Sequence, residues 1–316
     1  MSSERSQRLV LLVLLALGLV APFVLYPVFL MKALCFALFA CAYNLLIGYV
    51  GLISFGHAAF FGIAAYATGH AAKVWGLPTE LALLTGTAAA AALGLVFGWL
   101  AIRRQGIYFA MVTLALAQMV FFFCVQAPFT HGEDGIQAIP RGTLLGVIDL
   151  NNQLVLYYFV YVVFVLSFLI LRRTVNSPFG QILTALRENE ARAVSLGYRA
   201  DQYKLVAFVL SAAFSGLAGA MITIVFQLAA LNSVHWHLSG EVVLMTLMGG
   251  MGTLLGPVAG ALLLVAIQNY FAQVGAWSTI IQGAIFVVCV LVFRRGIVGE
   301  IEAWRQRRAA ASKPRD

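Results

Sequence analysis

Apolar runs long enough to cross a bilayer recur from end to end of this chain. A hydrocarbon core asks for about 20 consecutive apolar residues per helical crossing. Read against their breakers, the runs fall near 9–26, 29–48, 52–72, 79–102, 106–127, 153–171, 203–228, 238–252, 254–273 and 277–293. Of the 316 residues, 62% are hydrophobic and 10% charged, against roughly a quarter charged in soluble domains. Backbone groups in lipid must be satisfied internally, and the runs lack the alternation of barrel strands, so the spans are helices. The expectation is one all-α domain over 1–316, a polytopic membrane helix bundle of about ten spans, some short and Gly-rich. The opening MSSERSQRLVLLVLLALGLVAPF imitates a signal peptide but has no clear small-x-small cleavage site, and it reads as a retained first helix. Cys35, Cys41, Cys124 and Cys289 all sit in apolar runs without ligand-like spacing and read as packing residues.

Basic residues set the orientation. Seventeen of the 20 Lys and Arg lie at the N-terminus, at Arg103–Arg104, within 172–204, or from Arg294 onward, leaving Lys32, Lys73 and Arg141 elsewhere. Placing those four regions in the cytoplasm gives consistent helix parity, with both termini inside. The net charge of +8 then follows from topology, and nucleic acid is not needed to explain it. The same parity puts loop 128–152 outside, segment 172–202 inside and the basic tail 294–316 inside.

Segment 172–202 contains ALRENEARAVSLG, a charged island in an apolar chain. Ser177-Pro178 reads as a helix start, Gly197 as its stop, and Asp201 as a cap for the next membrane helix. Phe179, Ile182, Leu183 and Leu186 repeat at helical spacing, and Glu188 and Arg192 stand four apart in the favourable order. Such a helix either lies in the membrane surface with its charges solvated, or docks into a groove on a soluble partner. Composition does not choose.

Polar residues inside apolar runs are costly and therefore informative. They are Asn44, Ser54, His57, Gln118, Gln227, Glu241, Gln268 and Asn269, of which Asn44, Ser54, His57, Glu241, Gln268 and Asn269 are candidates for a translocation pathway. Gly48, Gly51, Gly56 and Gly62 punctuate the second and third spans. Gly249, Gly250, Gly252, Gly256, Pro257 and Gly260 punctuate the eighth and ninth. Gly51, Gly56, Gly249, Gly250, Gly252, Gly256 and Pro257 are the candidate helix breaks. Close helix packing through small residues accounts for most of these glycines, and His57 reads first as interhelical glue. His235-Trp236-His237 lies where an interfacial Trp belongs and is not read as a metal site. No nucleophile, base and orienting group recur at useful spacing. An ion-coupled secondary transporter would need intramembrane carboxylates, and only Glu241 is available.

Three stretches resemble LivM-type permease subunits of ABC importers for branched-chain amino acids. They are YNLLIGYVGLISFGHAAFFGIAAY (Tyr43–Tyr66), ALRENEARAVSLGYRADQYKLVAFVLSAAFSGLAGAM (Ala185–Met221) and HWHLSGEVVLMTLMGGMGTLLGPVAGALL (His235–Leu263), in family order. The resemblance implies that Arg187, Glu188, Asn189, Glu190, Arg192 and Gly197 belong to a coupling helix seated on an ATPase subunit. It also implies a LivH-type sister permease, two ATPase subunits that bind the ATP and Mg, an extracytoplasmic binding protein, and a place in the bacterial inner membrane. Relatives of this family also carry urea, amides or other amino acids, and no residue separates these cargoes. The family's external Thr-Gly-Gly appears as THGEDGI, with His131 in place of a glycine. The E-A-A-x-x-x-G signature survives loosely, as Glu190-Ala191 with Gly197 one residue late. No G-x-x-x-x-G-K-[ST] occurs, so the chain has no Walker A loop and no cofactor of its own is expected.

Overall fold

The structure, a computed structural model, describes residues 16–144, 146, 148–271, 277–292 and 296–300. Helix α1 (Pro27–Asn44) starts with proline in its first turn, where a missing N–H costs nothing, and runs on into a π turn, Leu45–Val50. Gly51, at φ +82°, ends that turn. There follow α2 (His57–Lys73), α3 (Thr79–Ala101), α4 (Ile107–Gln126) and α5 (Gln153–Val175), whose cap Asn152 accepts from the Leu154 N–H. Next come α6 (Pro178–Glu188), α7 (Glu190–Ser195), α8 (Ala200–Phe226), α9 (Trp236–Gly249), α10 (Gly256–Phe271) and α11 (Trp277–Val292).

The fold is the expected all-α polytopic bundle, and full-length helices stand beside short ones in it. Five helices are long and apolar enough to cross alone: α1 with its π turn, α3, α4, α5 and α8. Helices α2, α9, α10 and α11 have 17, 14, 16 and 16 residues. At 1.5 Å per residue α2 and α9 reach only about 21–26 Å of a ~30 Å core. Ahead of α2 and α9 stand stretches without α-helix: irregular backbone at 51–56, and at 227–235 a strand, Leu228–Ala229, followed by a 3-10 turn, Leu231–Ser233. The first of the ten expected spans is described only from residue 16, and of the basic tail only 296–300.

Helices α2, α3 and α8 pack tightly against one another, α1 lies against α8, and α10 lies on both α1 and α9. Glycine makes the close approaches possible: a Cβ on Gly219 would strike the Phe61 carbonyl, and one on Gly94 the Ala212 side chain. Phe39, Phe60, Phe61, Phe97, Phe109 and Phe208 are buried in this layer, while Leu84, Trp99, Met119, Phe122 and Ile170 face outward, as lipid allows. Cys35, Cys41 and Cys124 are buried free thiols; the Cys289 side chain lies outside the described residues.

Loop 128–152 is fastened down. Strand β1 (Ile136–Gln137) pairs antiparallel with β4 (Leu228–Ala229), and β2 (Thr143–Leu144) with β3 (Ile148–Asp149). Arg141 donates from Nη2 to the Val225 carbonyl at 2.7 Å and from Nε to Ile224 at 3.3 Å, satisfying carbonyls at the end of α8. Burial pulls the Arg141 guanidinium below its ordinary pKa. Gln227 turns the chain there at φ +56° and donates to the Ile139 carbonyl.

Candidate functional site

The charged island does not form the single helix that Ser177 and Gly197 were expected to bound. Asn189, at φ −158° and ψ 94°, breaks it, and its side chain accepts from the Arg192 N–H to cap α7. The break separates Glu188 from Arg192, so their four-residue spacing is not a helical one. Ser177 stands at the N-cap position of α6, yet its hydroxyl donates to the Thr174 carbonyl. Asp201 lies inside the first turn of α8 behind the cap Arg199, where its charge complements the helix dipole without capping. Gly197 does stop the segment. At φ +92° it donates to the Val194 carbonyl while the Tyr198 N–H reaches Ala193, the paired bonds of a glycine-terminated helix.

The two halves of this segment point their charges in different directions. Arg187 donates from Nη1 to the Gly48 carbonyl in the π turn, and its stem covers Gly51, where an added Cβ would meet Arg187 Cγ at 3.0 Å. Glu190 instead ties the segment to the start of α8 and to the α3–α4 turn. One carboxylate oxygen accepts from Lys204 Nζ at 2.6 Å, the other from Gln105 Nε2 at 3.0 Å. The pair with Lys204 is the ion pair found among the described residues. Glu188, Asn189 and Arg192 are exposed, and beside them stand exposed Val194, Leu196 and Tyr198, an apolar edge at the tip of the segment.

The groups that Arg187 meets form a knot. Asn44 donates from Nδ2 to the Thr253 carbonyl at 2.9 Å and accepts the Gly252 N–H at 3.0 Å. The end of α1 is thereby locked to the α9–α10 turn. A Cβ on Gly48 would strike Asn44 Oδ1 and the Gly252 nitrogen. Gly250 and Gly252 hold φ +122° and +75°, and a Cβ on Gly296 would strike Gly250. Gly249 and Gly256 meet backbone to backbone, Gly260 meets the Met245 carbonyl, and Pro257 is buried one residue into α10. Glycines spaced Gly256-x-x-x-Gly260 let two helices approach closely.

A second cluster lies at the start of α2. His57 Nε2 is 2.8 Å from Ser211 Oγ, and that hydroxyl donates its only proton to the Ala42 carbonyl at 2.6 Å. His57 must therefore donate from Nε2, a neutral tautomer linking α2 to α8 and α1. The Tyr43, Phe60 and Phe208 rings meet it edge-on. Side chains satisfy the backbone on either side of it: in the non-helical stretch before it Ser54 accepts from Gly56 and Thr113 from Phe55, and in the first turn of α2 Ser239 accepts from Ala58. Irregular backbone is tolerated at membrane depth only with such partners.

Glu241 and Gln268 lie beside each other across α9 and α10, Asn269 is exposed, and Gln118 is half-exposed on α4. His235 caps α9 through its ring nitrogen, which accepts the His237 N–H. Thus the structure joins Asn44, Gly51, Gly252 and Arg187, residues that the sequence assigned separately to pathway, helix break and coupling. It keeps His57 apart from them. Sequence reasoning missed Arg141, Lys204, Gln105 and Thr253; for Thr253, the turn-forming glycines on either side were a usable signal.

Residues 27–290 match the family model described as "Branched-chain amino acid transport system / permease component". The chain is 28% identical over 278 residues to the high-affinity branched-chain amino acid transport system permease protein LivM of Escherichia coli, covering 81% of this chain. It spans 65% of that relative's length. To the corresponding permease protein BraD of Pseudomonas aeruginosa it is 22% identical, over 84% of this chain and 92% of BraD. Ribose import permease protein RbsC of Bacillus subtilis is 27% identical over 57% of this chain and 58% of its own. No solved structure matches the chain.

Proposed function

Since the chain belongs to the family of branched-chain amino acid transport permease components, we propose that it is a permease subunit of an ABC importer for branched-chain amino acids. It carries them inward through the bacterial inner membrane by alternating access. Both termini lie in the cytoplasm, and the motor is supplied by two separate ATPase subunits that bind ATP and Mg. A LivH-type sister permease completes the pathway, and an extracytoplasmic binding protein delivers cargo over loop 128–152. Support for the substrate comes from the names of LivM and BraD. The likeness to RbsC sets a scaffold shared with a different cargo beside them, so cargo is tested directly.

One observation carries the coupling role: Arg187, on the cytoplasmic segment, bonds to the Gly48 carbonyl at a helix break that Asn44 locks to the α9–α10 turn. An ATPase that gripped the exposed tip at Glu188, Arg192, Val194 and Leu196 would pull on that knot through α6. Motion at the tip becomes motion of two broken helices at once, as glycine-interrupted spans around a transport route require.

The test is reconstitution of the complete complex in liposomes. Leucine uptake should require both ATP and the binding protein. Uptake driven by a proton or sodium gradient alone would overturn the reading. Purifying the binding protein and measuring which small molecules it retains decides between branched-chain amino acids and amides, urea or other amino acids.

A further inference from the structure

Beyond Arg187, the segment that holds α6 and α7 has a second grip on the bundle, and this one is buried. Leu186, Ala193 and Ala200 form a small apolar cluster of their own, with Ile182 and Tyr203 packed against it. Helices α6 and α7 and the start of α8 thus share a core apart from the main one. The Phe179 and Tyr198 rings stand 5.9 and 6.1 Å from the Tyr203 ring. Lys204 follows Tyr203 with its side chain only 5% exposed, and its ammonium donates to Glu190 Oε1 at 2.6 Å. Gln105, in the α3–α4 turn, donates to the other carboxylate oxygen at 3.0 Å. Among the described residues the Lys204 ammonium has no further partner.

Parting Lys204 from Glu190 would strand a buried ammonium away from water, which is strongly unfavourable. The pair therefore stays closed through any movement of α7, whereas the exposed Arg187 can exchange its one carbonyl for water at little cost. From this pair α8 runs unbroken through 27 residues, about 40 Å, packed on α1, α2 and α3. At its far end Arg141, Gln227 and the β1–β4 pair fasten loop 128–152 to it. We propose that Glu190, Lys204 and α8 form a strut between the ATPase-facing tip and the loop over which the binding protein docks. Lys204 is its positioning residue, and Gln105 braces it on the α3–α4 turn. This deepens the importer reading and rests on it. Asn189 divides two routes: Arg187 before it acts on the broken helices, and Glu190 after it acts on an unbroken one. The strut carries the arrival of the binding protein to the motor; the knot at Arg187 carries the motor's stroke to the transport route.

The test measures ATP hydrolysis by the complete permease–ATPase complex in nanodiscs, with and without leucine-loaded binding protein, beside its melting temperature. Binding protein should stimulate hydrolysis in wild type. Lys204→Met should cut that stimulation at least about five-fold, the lower range of an allosteric coupling, with the ATPase subunits still attached. Glu190→Gln keeps a hydrogen-bonding oxygen but not the charge, so it assembles readily and should cut the stimulation by less. Exchanging the two charges, Glu190→Lys with Lys204→Glu, should restore most of it. Arg187→Ala should keep the stimulation while losing uptake, since it cuts the other route. The strut is overturned by a Lys204→Met complex that loses only melting temperature, or by an exchange that restores melting temperature without stimulation. Equal loss of stimulation in Arg187→Ala, or wild-type hydrolysis that ignores the binding protein, overturns it too. If ATP-driven leucine uptake itself fails in wild type, it is the importer reading that falls.

Discussion

Each side of this molecule uses one arginine to hold backbone carbonyls at a helix end, and the two arrangements differ in rigidity. On the side proposed to face outward, Arg141 makes two bonds to the last turn of α8, beside a strand pair and a Gln227–Ile139 bridge. On the side proposed to be cytoplasmic, Arg187 makes one bond among the described residues, to a π turn that ends at a left-handed glycine, and it remains exposed. The outer arginine closes a regular helix with redundant support. The inner one rests on irregular backbone flanked by Gly48, Gly51 and Gly252, where few side chains resist rearrangement. π turns are frequent at functional positions for this reason. From this comparison we propose that the outer arginine holds and the inner one moves.

The sharpest way to break that comparison is Arg187→Ala. ATP-driven uptake should fall at least about ten-fold, equivalent to ~1.4 kcal/mol of lost coupling, while the ATPase subunits still co-purify. Arg187→Lys should recover little, since a point charge on a flexible stem does not reproduce a planar guanidinium directed at the Gly48 carbonyl. Normal uptake in Arg187→Ala would show that the knot is not in the coupling route.

Gly48→Ala probes the same knot sterically. Its Cβ would meet Asn44 Oδ1 and the Gly252 nitrogen, forcing apart the α1 end and the α9–α10 turn. Overpacking of this kind costs ~1–3 kcal/mol. Uptake should drop several-fold, with a lower melting temperature for the purified complex. Asn44→Ala in the same background should regain part of the loss, because it removes one of the two clashing atoms.

How much of this was legible in the sequence follows from what each feature depends on. Helix class and the stop at Gly197 depend on local composition and could be read directly. The break at Asn189 could not. The pattern of Phe179, Ile182, Leu183 and Leu186 continues smoothly into Glu190 and Arg192, and only the side-chain cap on the Arg192 N–H reveals that the helix restarts. The shortness of α2 and α9 was likewise hidden, because irregular backbone through Leu52–Gly56 is as apolar as helix. The Phe55 N–H donates to Thr113, and the Ala58 N–H just beyond the stretch to Ser239, both far away in sequence. Asn44 illustrates the site as a whole: a polar residue in an apolar run is conspicuous, but its partners 208 and 209 residues later are not.

On the outer side, Arg141→Ala should act on stability and spare transport. Two carbonyls at the end of α8 lose their donor, at a cost of ~1–2 kcal/mol where water can partly replace it. Thermal unfolding of the purified complex should shift down by about 2–4 °C, with uptake within about two-fold of wild type. A large uptake defect without loss of stability would make the outer arginine a moving part and erase the contrast with Arg187.

The smallest effect belongs to His131. Its φ of +58° is the left-handed conformation that glycine adopts without cost, and it ends the short turn Pro128–Thr130, where the His131 N–H donates to the Pro128 carbonyl. The residue therefore keeps a glycine-like backbone although it carries a side chain. His131→Gly removes a left-handed strain of about 1 kcal/mol, offset in part by the greater freedom of glycine in the unfolded chain. The net gain should be a few tenths of a kcal/mol, seen as a slight rise in melting temperature with unchanged uptake. A clear loss of uptake would show that the imidazole, and not the backbone turn, is what this corner of the outer loop contributes. Holding on the outside would then depend on a side-chain contact with the delivering protein.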